Sequence, residues 1–180
     1  FKEYLGGSPA NIACAVSRLG GRSALISKVG NDAAGQMCLQ ELGKANVDTI
    51  SVYIEPTLPT SRAYVSRTEG TPEFRIARGA DVTLHSSELN MDTIIHAGVI
   101  HASTFSLSLD PLRSTVIAAL THAHKMGILV SLEEHRKDVL PSLRERHENE
   151  ADPAKKSRLA LALLPVEPDA VRDEIVAQML

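Results

Sequence analysis

The sequence carries no surplus of positive charge: 19 Lys and Arg stand against 22 Asp and Glu, for a formal net charge of -3. Neutralising a phosphate backbone needs such a surplus, so the charge balance argues against a nucleic-acid partner. Long apolar runs are absent as well. The longest candidate, LALALLPV from Leu159, is stopped by a proline and falls far short of the roughly 20 residues that span a bilayer, so no membrane partner is expected. The amino-terminal FKEYLGG lacks the apolar core of a secretory signal. Cysteine is scarce: Cys14 and Cys38 both sit in apolar helical patterns and read as buried, reduced thiols. A cytoplasmic location follows as the expectation, with small molecules as partners.

What is present is ordinary soluble composition, 43% apolar and 23% charged, which points to neither disorder nor a fibrous class. A chain of 180 residues has room for one compact domain that buries roughly 70% of its unfolded surface, and not for a second. Ser8 is a suitable N-cap and Pro9 a suitable first helical residue, so a helix is expected from Pro9. Ile12, Val16 and Leu19, flanked by Ala13 and Ala15, form its apolar stripe, and Gly20-Gly21 ends it. Residues 23–30 read as a buried strand, and residues 31–47 as a second helix with Ala34, Met37, Cys38 and Leu42 inward.

Between Ile50 and Gly79 the texture turns to short alternating β-branched segments broken by Pro56, Pro59 and the turn TEGTP, which predicts an antiparallel hairpin region. Beyond it, residues 98–104 predict a strand, 109–127 a helix with Leu112, Val116, Ala119 and Leu120 inward, and 128–132 another strand. Strand and helix alternate on both sides of the hairpin, which implies a mostly parallel sheet with crossover helices. From Glu133 the chain is densely charged and reads as a solvated helix-loop stretch, followed by a terminal helix with Val171, Ile175 and Met179 on one face. No internal repeat is present.

LGGSPANIACAVSRLGGRSALISKVG, residues 5–30, holds the chemistry. Paired glycines allow a tight turn and let a ligand approach the main chain without meeting a Cβ. The helix that follows directs its N–H groups and dipole at the same space, and Asn11 can offer both a donor and an acceptor. A polyhydroxylated ligand suits such a site. The full spacing, Gly-Gly-Ser-Pro-x-Asn-x-Ala followed by Gly20 and Gly30, resembles the N-terminal signature of the ribokinase family, the PfkB-type carbohydrate kinases, at every specified position. The similarity continues through KVGNDAAGQMCLQELGKANVDT, through TSRAYVSRTEGTPEFRIARGAD, which looks like the family's substrate lid, and through VIHASTFSLSLDPLRSTV, which is similar to fructokinase-like and 2-keto-3-deoxygluconate kinase-like members. It covers about residues 5–132.

The resemblance implies an α/β fold: a ribokinase-like, doubly wound, mostly parallel sheet with helices on both faces and a small β lid at about residues 50–79. It implies transfer of the ATP γ-phosphoryl group, with Mg, to a hydroxyl of a keto-sugar or 2-keto-3-deoxy sugar acid. Gly6, Gly7 and Asn11 would hold sugar hydroxyls. Phe74, Ile76 and Arg78 share a strand face by period-2 alternation, so Arg78 is a charge in need of a partner. In keto-acid sugar kinases the matching arginine contacts substrate, so Arg78 would pair with a carboxylate or with hydroxyls. The family's late Asp-Thr-x-Gly-Ala-Gly-Asp segment, which supplies the catalytic base and an anion hole, has no counterpart here, and neither does its Asn-x-x-Glu element. Asp81 in RGADVTL follows a lid strand and reads as a turn residue. No catalytic residue is therefore assigned. The chain is expected to be a partial domain, cut at both ends with a divergent, charged segment at about 133–180, and inactive alone.

Other chemistries have little support. Gly30 to Gly35 is followed by Gln36 and Met37, which rules out a Walker-type loop, and no Gly-x-Gly-x-x-Gly follows a strand. His122 and His124 lie two apart on a helix, and His96 and His101 have no Cys or carboxylate cluster beside them, so no metal site is expected. Two alternatives stay open: a non-catalytic remnant that binds sugar or forms a homodimer through the lid, and a kinase whose acceptor is a nucleoside.

Overall fold

The computed structural model describes residues 2–66 and 73–132. The expected charged stretch and terminal helix beyond Glu133, and the TEGTP turn, lie outside the described residues. Helix α1 spans Ser8–Arg18, strand β1 Ser27–Gly30, helix α2 Ala33–Lys44 and strand β2 Val52–Glu55. Strands β3 (Arg62–Ser66) and β4 (Glu73–Ala77) form the hairpin. After two 3-10 turns come helix α3 (Met91–Ile95), strand β5 (Val99–Ala102), helix α4 (Leu112–Lys125) and strand β6 (Leu129–Leu132).

β1 pairs in parallel with β2, Ser27 opposite Val52, across the α2 crossover, and β5 pairs in parallel with β6, Val99 opposite Leu129, across α4. This is the expected strand-helix-strand alternation. Two findings differ from the expectation. First, the hairpin is narrower than residues 50–79, because Val52–Glu55 joins β1 and only Arg62–Ala77 is antiparallel. Short β-branched segments look alike in sequence whichever partner they take, and the α2 crossover decides the partner. Second, among the described residues the parallel strands form two separate pairs, not one continuous sheet.

Helices cover both faces, as the alternation of side chains along the approach to β1 shows. Leu25 packs on a cluster of Ala10, Ala13, Cys14, Leu42, Ala45 and Val47 between α1 and α2. Its neighbour Ile26 packs on the opposite cluster of Ile94, Ala119, Ala123 and Ile128, from α3, α4 and the residue that leads into β6. In α1 the buried residues are Ala10, Ala13 and Cys14, while Leu19 is exposed. The larger stripe residues Ile12 and Val16 line the cleft described below. The buried small side chains of α1 share the cluster with Leu42 of α2 and with Ala45 and Val47 just beyond it. In α4 the inner face runs through Leu112, Thr115, Ala119 and Ala123, with the Thr115 hydroxyl donating to the Leu84 carbonyl at 2.8 Å.

Candidate functional site

A cleft of about 2250 Å³ is lined by residues from α1, β1, the hairpin, β5 and α4, and core residues such as Ala13, Leu42, Ile94 and Ala119 also border it. Gly6 and Gly7 line it. Gly7 is the N-cap of α1 at φ 92°, ψ 128°, a left-handed backbone that glycine tolerates, and Ser8 stands one place later, as the first helical residue rather than the cap expected from sequence. Once glycine takes the cap, no side chain closes the helix end. Its first-turn N–H groups are left for water or a ligand. A Cβ on Gly6 or Gly7 would meet nothing within 4 Å, so no described residue fills the ground in front of the helix. Asn11 is exposed and lies outside the cleft-lining residues, and its backbone N–H donates to the Gly7 carbonyl at 3.0 Å.

The hairpin is anchored by a strap, residues 58–62, that crosses three glycines. A Cβ on Gly30 would lie 2.5 Å from the Leu58 carbonyl oxygen, one on Gly35 2.2 Å from the Gly30 carbonyl oxygen, and one on Gly79 2.0 Å from the Pro59 carbonyl oxygen. Asp32 ties this strap to α2. Its carboxylate accepts from Gly35 N–H at 2.8 Å as the helix N-cap, from the Thr60 hydroxyl at 2.6 Å and from Thr60 N–H at 3.1 Å, while Arg62 approaches to 3.5 Å. The Thr60 hydroxyl oxygen in turn accepts from Gly30 N–H at 2.9 Å. The Thr60 hydroxyl first, then the Gly35 N–H, hold the Asp32 carboxyl below the ordinary aspartate range.

A second anchor lies beneath β1. Lys28 is buried in that strand and donates to Glu88 at 2.8 and 3.0 Å, with Glu55 at 3.6 Å. The Lys28 ammonium is the main cause that keeps Glu88 below the usual carboxylate value, and the Thr57 hydroxyl does the same for Glu55. The sequence reading missed this cluster; its one available signal was Lys28 inside SALISKVG, a segment read as a buried strand. These depressed carboxyls contribute stability that is full above their unfolded pKa values, about 4, and is lost as pH falls through the lower folded values. Stability in urea is therefore expected to be flat from about pH 7 to 5 and to fall below about pH 4, with a shallower fall in Asp32→Asn. Rising stability on acidification would contradict the assignment.

Arg78 finds its partners inside the fold. It sits one residue beyond β4, not within the strand, and its Nε and Nη2 donate to Asp81 Oδ2 at 3.1 and 2.7 Å. Nη1 donates to Ser108 Oγ at 2.8 Å, and the guanidinium lies 4.2 Å from the Phe105 ring centroid. Asp81, read from the sequence as a turn residue, is the second residue of the 3-10 turn Ala80–Thr83 and also accepts from the Ser61 hydroxyl. Asp81, Ser61 and Arg62 line the cleft, whereas Arg78 does not. Among the described residues no group of three or more His, Cys, Asp or Glu side chains converges as a metal site. No described helix is long and apolar enough to cross a membrane.

Comparison with known proteins bears on this geometry. Over its whole length the chain is 36% identical to probable fructokinase-5 of Arabidopsis thaliana, of which it covers 58%. It superposes on a sugar kinase from Pyrococcus horikoshii in complex with ATP with a TM-score of 0.71 at 30% identity, covering 91% of this chain and 52% of that one. A fructokinase from Vibrio cholerae O395 bound to fructose, ADP and calcium ion gives a TM-score of 0.65 at 30% identity, over 87% of this chain and 50% of the other. The chain thus spans a little over half the length of these relatives. These matches show the ribokinase-like α/β fold that the sequence implied. The family model for the pfkB family of carbohydrate kinases matches residues 1–178, nearly every residue of the sequence, and with the glycine-walled cleft and the hairpin that lines it, it establishes that the chain belongs to that family.

Proposed function

We propose that this chain supplies the sugar-holding cleft of an ATP-dependent carbohydrate kinase, with a ketohexose or a 2-keto-3-deoxy sugar acid as the phosphoryl acceptor. The observation that carries the reading is the Gly6–Gly7 wall: a positive-φ glycine N-cap opens α1 onto space that no described residue fills, where backbone N–H groups can receive sugar oxygens. The fructokinase names of its relatives and the fructose and ADP held by the Vibrio cholerae structure support it. Asn11, which lies outside the cleft-lining residues, does not support this reading. ATP and Mg would serve the whole kinase. The 180 residues contain no Asp-Thr-x-Gly-Ala-Gly-Asp segment, so a carboxylate base worth about 10²- to 10⁴-fold is not assigned, and little or no turnover is expected of the chain alone.

Calorimetric titration of the 180-residue chain with D-fructose, with and without ATP, tests this. Saturable sugar binding that does not depend on nucleotide is expected. Adenosine displacing fructose, or binding where fructose does not, would move the acceptor to a nucleoside. ATP-dependent phosphorylation at ordinary enzyme rates would overturn the inactivity. A second role has its own observation: Val65 and Ile76, on one face of the hairpin with Ala63, are each about half exposed, which suits a homodimer through the lid. The free thiols of Cys14 and Cys38 fit a reducing cytoplasm.

A further inference from the structure

Three cations gather at the lid base, and each stands against a carboxylate: Lys28 against Glu88, Arg62 against Asp32 and Arg78 against Asp81. A negatively charged ligand arriving at this part of the cleft would have to displace one of those carboxylates. The arrangement is most specific at Arg78. Its forked contact with Asp81 Oδ2, its bond to Ser108 and the Phe105 ring against its guanidinium place the cation behind the carboxylate, and it is Asp81, about a quarter exposed, that reaches the cleft. Two Arg78 donors fill Oδ2, while Oδ1 accepts from the Ser61 hydroxyl and has Arg78 Nε only at 3.5 Å, a contact long enough for a closer hydroxyl donor to replace.

We propose that Asp81, held in orientation by Arg78 and Ser61, accepts a hydroxyl of the bound sugar and selects neutral sugars against sugar acids. This rests on the sugar-cleft reading above and narrows its acceptor to the uncharged class. A carboxylate ligand would meet the Asp81 charge at short range and find the guanidinium already neutralised, which disfavours it twice. A hydroxyl can donate to Asp81 without disturbing the pair. Arg78 then acts as a positioning residue, and the sequence expectation that it would contact substrate gives way to contact through its neighbour.

The test compares D-fructose with 2-keto-3-deoxygluconate by titration calorimetry of the full chain at one low ionic strength. Fructose is expected to bind at least about tenfold more tightly than the acid, a difference of about 1.4 kcal/mol. In Asp81→Asn, which keeps the shape and removes the charge, the gap is expected to close to about threefold or less, and raising salt should narrow the gap in the unaltered chain. A merely structural Asp81 would weaken both ligands together and leave their ratio unmoved, which would overturn the proposal. Equal or tighter binding of the acid by the unaltered chain overturns it with no variant needed, so a poorly folding Asp81→Asn does not shield it. Binding of neither ligand would instead sink the sugar-cleft reading itself, and this one with it.

Discussion

Gly79→Ala is expected to lower stability by about 3 kcal/mol, the upper end of the usual overpacking penalty, or about 6–12 °C in Tm for a chain of this size. The added Cβ would lie 2.0 Å from the Pro59 carbonyl oxygen and 3.1 Å from its carbon, and both are backbone atoms that no rotamer change can move. The same oxygen accepts from Ala80 N–H at 2.8 Å, and Gly79 N–H donates to Ser61 Oγ at 2.7 Å, so shifting the strap to make room also loosens the two bonds that close the lid base. Gly35→Ala meets the same obstacle at the Gly30 carbonyl, 2.2 Å away. Gly43→Ala is the control. A Cβ at this position in α2 would have nothing within 4 Å, and alanine there is expected to stabilise by about 0.5–1 kcal/mol. Thermal denaturation followed by circular dichroism distinguishes them. Equal midpoints for Gly79→Ala and the unaltered chain would show that the strap does not bear on the backbone as described.

Leu42→Ala is the second large effect, expected to cost about 2–5 kcal/mol. Leu42 is 1% exposed and is the largest buried side chain in a cluster with Ala10, Ala13, Cys14, Ala45 and Val47, against which the partly buried Leu5 and Leu25 pack. Where in that range the cost falls depends on how far Leu5 and Leu25 can relax into the space that a missing isobutyl group leaves. The loss also reaches the site, because this cluster fixes α1 against α2 and α1 sets the direction of the Gly7 helix end. Weaker fructose binding should therefore accompany the lower urea midpoint. Leu109→Ala, at a 46% exposed position, is expected to stay within about 0.5 kcal/mol of the parent. Similar losses at both positions would argue against a tightly packed interface between α1 and α2.

Local chemistry was legible wherever a residue type forces a conformation. Gly20 at φ 85° closes α1, Asp32 caps α2, and the strands and helices from Val99 to Leu132 fall within the expected segments. The short helix Met91–Ile95 was not anticipated: five residues give less than two turns, too little periodicity to read. Arg78 was recognised as a charge needing a partner, yet Asp81 was set aside as a turn residue. Three residues apart, the two look independent in a loop, and only the 3-10 turn Ala80–Thr83 folds the carboxylate back onto the guanidinium.

By itself the sequence pointed to the family through the resemblance of residues 5–30 to a known signature, and to the class of fold because glycine, proline and capping residues act on their own backbone and apolar periods report which face is covered. Tertiary structure alone decided which neighbour each group meets. That β2 joins β1 and not the hairpin, that Ala10 and Ala13 are buried while Ile12 and Val16 are only partly so, and that Asp81 pairs with Arg78 all depend on contacts between residues distant along the chain or on the way a turn closes. Burial and charge pairing are properties of the space between elements, and no spacing within one element encodes them.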